Sequence, residues 1–229
     1  MAVAAWILGT TAILLWISVT ECSYFSRRLL LLMYNCTGWS YESKWRLVAY
    51  NDSRLTQSLF LAPILQVAAG ESTKQVLDLA CGTGRISLLL ISVPEFQGQI
   101  LAIDQSGGML RRFREHLDKL APGQRNRVMI AQFDLNKWTS EGSACYDAVT
   151  LLEVGELLPR FENVVAEIAK VLKPGGLLLL TRLTPRYAWM FFGRPQGRQR
   201  FDRLLKRNGF TDIRFTPWRS RYEVVYARK

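Results

Sequence analysis

No charged side chain precedes Glu21: Ala2–Thr20 is a continuous run rich in Ala, Leu, Ile, Val and Trp. At 1.5 Å per residue a helix of this length reaches about 28 Å, close to the apolar thickness of a bilayer. Trp6 and Trp16 stand near its two ends, as interfacial anchors do. A cleaved signal peptide needs a basic region before the apolar run and small residues at the cut. No Lys or Arg precedes Trp6, and Ser18–Cys22 matches a cleavage site poorly. The pattern therefore predicts a retained transmembrane anchor over residues 1–22. Arg27 and Arg28 follow it, which by the positive-inside rule puts the rest of the chain in the cytosol. Leu29–Met33 is too short to span and is flanked by Tyr24, Phe25, Tyr34 and Trp39. Residues 23–70 read as interfacial or lid helices.

From residue 71 the pattern changes to strand–helix alternation. Apolar runs predict strands over Gln75–Leu79, Gln99–Asp104, Arg127–Gln132, Tyr146–Leu152, Leu177–Arg182, Asp212–Thr216 and Arg221–Ala227. Helical spacing predicts helices near Arg85–Ser92, Gly107–Leu120, Pro159–Leu172 and Arg198–Asn208. Pro174-Gly-Gly176 reads as the end of one helix and the start of a strand. Alternation of this kind gives a mostly parallel sheet with ligands at the C-terminal ends of its strands. Only Pro217–Ser220 separates the last two strands, too little for a crossover helix, so they should pair antiparallel.

Composition narrows the class. The chain has 229 residues, 49% of them hydrophobic, enough for one α/β domain with a segment added. The net charge of +11 favours an anionic partner or surface. Much of it is C-terminal: from Arg182 onward there are thirteen Lys/Arg against three Asp/Glu. Tyr187, Trp189, Phe191 and Phe192 lie among those arginines, a composition that suits a membrane surface and also RNA. Cys22, Cys36, Cys81 and Cys145 lack metal-like spacing and read as reduced thiols. With one histidine, His116, a His-based triad or metal site is not expected.

The most informative stretch is Val76–Arg85. Val76–Leu79 reads as a buried strand with one acid, Asp78, and Cys81-Gly-Thr-Gly84 as a tight turn opening a helix. Such a turn lets a ligand approach bare backbone N–H groups at a helix N-terminus. A pyrophosphate would be repelled by the carboxylate before the glycines. A ligand that brings a cation would not, and S-adenosylmethionine brings an ammonium and a sulfonium. The third glycine of a dinucleotide turn is absent (position 87 is Ser), and so is a Walker lysine. Asp104 ends the second strand 20 residues after Gly84, where a carboxylate can accept from both ribose hydroxyls. Ser106 is the better N-cap for the helix that follows.

From about residue 40 the chain resembles the class I S-adenosylmethionine-dependent methyltransferases, and within them the ubiquinone/menaquinone C-methyltransferase group. Six pieces carry the resemblance in order: Leu77–Gly84, Ala102–Ser106 with Met109-Leu110, Ala131–Leu135, Tyr146–Val149, Val171–Gly176 and Leu204–Phe210. It implies a Rossmann-like, doubly wound seven-stranded sheet of order 3-2-1-4-5-7-6 with the seventh strand reversed, and S-adenosylmethionine as cofactor. It implies a cofactor site at Asp78, Ala80, Cys81, Gly82, Gly84, Asp104, Gln105, Met109, Asp134, Leu135 and Leu151. Asp78 would favour the ammonium directly or through water, Gln105 and Met109 flank the nucleoside, Asp134 take the adenine amino group and Leu135 pack on its ring. On the acceptor side, Glu153 and Glu156 are candidate bases at the end of the fourth strand, where related enzymes often carry other polar residues or histidines. Solvated helix-start acids are the equal alternative. Trp39, Tyr41, Trp45 and Tyr50, with Tyr187–Phe192, are the expected pocket walls, and no metal is implied.

These readings point to a membrane-anchored methyltransferase for a lipophilic acceptor, a quinone precursor or a lipid headgroup. Two alternatives stay open: methylation of protein or RNA, and a non-catalytic assembly factor of the same fold. Leu151-Leu-Glu-Val154 stands where base-methylating relatives carry Asn-Pro-Pro-Tyr, which argues against amino methylation of nucleobases. Asp104→Ala is expected to weaken cofactor binding without unfolding the chain.

Overall fold

The computed structural model describes residues 26–49, 57–67, 73–140, 143–192 and 197–229, with Trp6, Gly9–Thr11, Ile13, Trp16, Ile17, Thr20 and Tyr24 before them. Its centre is a seven-stranded sheet of order β3-β2-β1-β4-β5-β7-β6. The strands are β1 Gln75–Leu79, β2 Gln99–Asp104, β3 Val128–Gln132, β4 Tyr146–Leu151, β5 Leu172–Leu183, β6 Thr211–Trp218 and β7 Tyr222–Arg228. β7 runs antiparallel to both neighbours, and the other pairs are parallel. The expected order and reversal are both met.

Strand periodicity divides the apolar residues between two cores. Val76 and Ala148 face one side of the sheet, and Leu77, Leu79, Val149 and Leu151 the other. The unbroken run Leu177–Leu180 follows the same rule: Leu177 and Leu179 enter one core, Leu178 and Leu180 the other. A strand covered on both faces has no polar positions to alternate with. Helices supply the covers. In α4 (Gly107–Leu117), Leu110, Phe113 and Leu117 recur at three- and four-residue spacing and fill the first core. In α6 (Phe161–Val171), Phe161, Val164, Val165 and Ile168 do the same for the second. α3 (Arg85–Ile91), the short α2 (Ala62–Leu65), α5 (Pro122–Arg125) and α7 (Pro185–Ala188), and α8 (Arg198–Arg207) complete the layers.

Two expected boundaries shift. Pro174-Gly-Gly176 does not launch the strand but lies inside β5, where the pairing with β4 slips between Tyr146/Leu172 and Ala148/Leu177. Gly175 takes φ +76°, and the bulge absorbs the extra residues while pairing resumes beyond it. The helix expected from Pro159 begins at Phe161, because Gly155–Leu157 forms a separate 3-10 turn.

The N-terminal region departs most from expectation. Arg27–Ala49 is one 23-residue helix, α1, followed by a π-helical turn Gln57–Leu61. Among the described residues no helix is long and apolar enough to cross a membrane. Most of Ala2–Thr20, where a span was expected, lies outside those residues. Its described members do not support an interfacial Trp16. That indole N–H donates to the Met190 carbonyl at 3.1 Å, and its ring stacks on Tyr24 at 5.4 Å. A half-buried indole gains from a partner for its N–H, and here the protein supplies one. Trp6 remains 74% exposed.

Candidate active site

In the sheet order β1 is flanked by β2 and β4, so the chain leaves it in opposite directions and a crevice opens at the strands' C-terminal ends. That crevice is the cleft, lined from four sides. Ala80 and Gly82 come from the turn after β1, and Asp104, Gln105, Ser106 and Met109 from the end of β2 and the start of α4. Phe133, Leu135 and Asn136 follow β3, and Leu152, Glu153, Val154, Leu157 and Leu158 follow β4. Arg27, Leu30 and Tyr34 of α1 close the top. The cavity is about 90 Å³, so the cleft is a narrow slot beneath α1.

The two glycines of the turn have different tasks. Gly82 (φ +56°) lines the cleft, and a Cβ built on it meets nothing within 4 Å. It is the bare main chain that a ligand can approach. Gly84 (φ +84°) caps α3, and its Cβ would lie 2.1 Å from the Phe113 ring. Its smallness serves packing against α4, not the ligand. Ala80 adopts φ +52°, a left-handed conformation costly for a residue with a Cβ, at the cleft wall.

Asp104 organises this corner. Its Oδ2 accepts from Gly82 N–H at 2.9 Å and its Oδ1 from Ser106 N–H at 2.8 Å. The residue lines the cleft. Burial pushes its carboxyl above the usual range, while the Ser106 and Gly82 N–H groups pull the other way. Ser106 caps α4 as expected, its Oγ accepting from Met109 N–H. Gln105 and Met109 line the cleft beside it.

Asp78 does not reach the cleft as a direct contact would require. It is 3% exposed and does not line the cleft. Its oxygens accept from Thr150 Oγ1 at 2.6 Å and Ser87 Oγ at 2.7 Å. The serine standing in place of a third glycine is thus the partner of the acid. Burial raises the Asp78 carboxyl and the two hydroxyls oppose the shift. Direct contact with an ammonium is not what this geometry offers; Asp78 braces the turn from behind. Cys81 and Leu151 are likewise buried behind the wall, and burial pushes the Cys81 thiol well up.

Asp134 is covered. Arg27 Nη2 lies 2.6 Å from both its oxygens, and Oδ1 also accepts from the Asn136 backbone and side-chain amides. Asp134 therefore caps the 3-10 turn Leu135–Lys137, with Arg27 over its outer face. Leu135 does reach the cleft. Arg27 and an adenine amino group would compete for the same carboxylate. Arg27→Gln is expected to tighten binding of S-adenosylhomocysteine up to about fivefold, since a half-exposed ion pair is worth roughly 1 kcal/mol or less. Calorimetric titration of the two proteins checks this; weaker binding would make Arg27 a ligand contact, not a competitor.

The two candidate bases separate. Glu153 lines the cleft with its carboxylate 6% exposed, and its Oε1 accepts from Arg85 Nη2 at 2.5 Å, with Arg219 at 3.8 Å. Its own backbone is left-handed (φ +57°), held by its N–H donating to Thr181 Oγ1 at 2.6 Å. Glu156 is buried away from the cleft and accepts from the Tyr222 hydroxyl. Burial, with the Glu156 charge beside it, pushes that phenol well up, so the pair is fixed structure.

Tyr187, Trp189, Phe191 and Phe192 do not line the cleft as expected; Phe191 is buried and Phe192 packs toward Trp16. Tyr50 and the side chains of Trp39, Tyr41 and Trp45 lie outside the described residues. α1 falls within the residues 23–70 expected to form interfacial or lid helices, but Arg27, Leu30 and Tyr34 were not expected as the residues that reach the cleft. The signal was present as the three- and four-residue spacing of Arg27, Leu30 and Tyr34.

The residues fit S-adenosylmethionine. Gly82 offers bare main chain, Asp104 a carboxylate at the cleft wall, and Met109 and Leu135 apolar surface for a purine. Residues 76–176 match the family described as methyltransferase domain. The match covers under half of the chain, and that stretch, with the fold and the site, is similar to the class I S-adenosylmethionine-dependent methyltransferases. Part of the chain is also similar to quinone methyltransferases. It is 35% identical over 104 residues to a demethylmenaquinone methyltransferase of Leptospira interrogans, covering 45% of this chain and 41% of that protein. It is 32% identical over 133 residues to a ubiquinone biosynthesis O-methyltransferase of Pectobacterium atrosepticum, covering 58% and 52%. The chain thus spans about half the length of these relatives, or less. Among solved structures it is similar to a Haemonchus contortus phosphoethanolamine N-methyltransferase in complex with S-adenosylmethionine (TM-score 0.59, 16% identity, covering 75% of this chain and 52% of that one). It is as similar to a [4+2]-cyclase (TM-score 0.60, 18% identity, covering 73% and 79%). At such identities the likeness is one of fold, and that fold serves more than one chemistry.

Proposed function

We propose that this protein transfers a methyl group from S-adenosylmethionine to a lipophilic acceptor at a membrane, with a quinone precursor as the acceptor class. The observation that carries the acceptor is the wall after β4: Leu152, Val154, Leu157 and Leu158 surround a single carboxylate, Glu153. Such a wall suits an apolar ring or tail with one hydroxyl, and the two curated relatives are named for quinone biosynthesis. When bound, the cofactor supplies an electrophilic methyl on a sulfonium. The chain's own residues do the rest. Gly82 and Asp104 fix the donor side, and the leucines exclude water from the acceptor side. Glu153, ion-paired with Arg85, accepts the proton of an acceptor hydroxyl as that oxygen becomes nucleophilic. The charge-free segment Ala2–Thr20 and the basic aromatic stretch beyond β5 keep the enzyme where such an acceptor resides. A nucleic acid is the weaker partner in this reading.

Membranes incubated with labelled methyl donor and the protein are expected to yield counts in the organic extract. Counts confined to protein or RNA would overturn the acceptor class. Glu153→Gln is expected to lower kcat by about 10²–10⁴, the usual worth of a general base, with S-adenosylhomocysteine affinity within about twofold. An unchanged kcat removes Glu153 from the chemistry.

A further inference from the structure

Helix α1 has two faces. Its inner face carries Arg27, Leu30 and Tyr34 over the cleft. That face is fastened by Asn35, whose Oδ1 accepts from Ser106 Oγ at 2.8 Å and Gly108 N–H at 3.1 Å. The outer face is also apolar: Leu29 is 45% exposed and Leu32 57%, with Cys36 exposed on the same stripe and Arg28 beside it. More large exposed side chains gather at the start of this helix. The Tyr24 hydroxyl donates to the Phe192 carbonyl at 2.8 Å, which places Trp189 and Phe192, both 62% exposed, against the segment leading into α1. On the other side, Phe133 is 40% exposed next to Asp134, the residue that holds Arg27.

A collection of this kind at one rim marks an interaction surface. Its charge indicates the partner: Arg28 and Arg186 are exposed around it, on a chain of net charge +11. Tryptophan, phenylalanine and leucine with interspersed arginine match the interface of an anionic bilayer, where rings enter the acyl boundary and guanidiniums meet phosphates.

We propose that the outer stripe of α1, with Phe133, Trp189 and Phe192 around it, seats on an anionic lipid bilayer, so that the cleft opens directly onto the membrane beneath α1. This deepens the lipophilic-acceptor reading: the acceptor enters sideways from the acyl layer without crossing water.

The chain carries its own probes. Cys36 lies on the seated stripe, whereas Cys145 is exposed just before β4, at the end of the sheet opposite the cleft. The full chain with Cys22→Ser is mixed with vesicles of phosphatidylcholine and phosphatidylglycerol at two to one, and both thiols are labelled with a membrane-impermeant maleimide. Vesicles are expected to slow Cys36 about tenfold and to leave Cys145 within about twofold. Leu29→Ser with Leu32→Ser should restore fast labelling of Cys36 while S-adenosylhomocysteine affinity stays unchanged. Cosedimentation with Cys36 still fast would mean that another segment holds the membrane, and overturns the seat. Failure to sediment overturns it too, as does protection of Cys36 that rises with protein concentration in the absence of vesicles, which indicates a second copy. Methylation of a detergent-dispersed lipophilic acceptor reads the proposed function separately, so either can fail while the other stands.

Discussion

Asp104→Ala is expected to weaken S-adenosylhomocysteine binding on the order of 100-fold, the loss of two hydrogen bonds to a charged group at roughly 1.5–3 kcal/mol each less what water recovers. The structure changes the accompanying stability expectation. The same carboxylate accepts from the Gly82 and Ser106 N–H groups, so removing it strands two backbone donors. An unpaired buried donor costs about 1–3 kcal/mol, offset in part because a desolvated carboxylate is no longer buried, giving a net loss of about 2–4 kcal/mol. Urea unfolding and calorimetric titration measure the two effects separately. Unchanged affinity in a folded variant would refute the ribose role.

The same group sets a pH dependence of opposite sign in the two measurements. Burial raises the Asp104 carboxyl in the folded state. Acidification protonates it above the usual carboxylate range, and ligand affinity should fall there because an acceptor is lost. Its contribution to stability runs the other way. A raised folded pKa favours the protonated native state, so that contribution is full below the unfolded pKa and is lost as pH rises through the folded one.

The second large effect separates the glycines. Gly84→Ala places a Cβ 2.1 Å from Phe113, a fully buried ring with no room to withdraw, at φ +84°. Overpacking and left-handed strain together should cost about 3–5 kcal/mol, read as a fall in the urea midpoint. Gly82→Ala meets open space and should cost only about 1 kcal/mol, the left-handed penalty alone. Its methyl enters the cleft, however, so binding should fall at least about tenfold, the worth of 1.4 kcal/mol. If Gly82→Ala unfolds the chain while Gly84→Ala only loses ligand, the roles are reversed.

The sequence by itself determined the sheet. Period-two and unbroken apolar runs marked every strand to within a few residues, and the short Pro217–Ser220 link required the reversed last pair. β5 was the poorest match, because a bulge keeps one strand going through a Pro-Gly-Gly that locally reads as a break. Gly82, Asp104 and Glu153 were also legible, at or just beyond the end of a strand, whereas Gln105, Met109 and Leu135 were expected from the family resemblance, and all six line the cleft. Only the tertiary structure decided what faces the ligand and what stands behind it. Asp78 and Glu156 carry the same chemistry in sequence as Asp104 and Glu153. Thr150 and Ser87 claim the first, and Tyr222 the second, from 66 to 72 residues away or across a turn. Asp134 is removed from the wall by Arg27, 107 residues distant. A carboxylate's role depends on which donor reaches it first, and that is a property of packing between elements, which no local pattern of residues records.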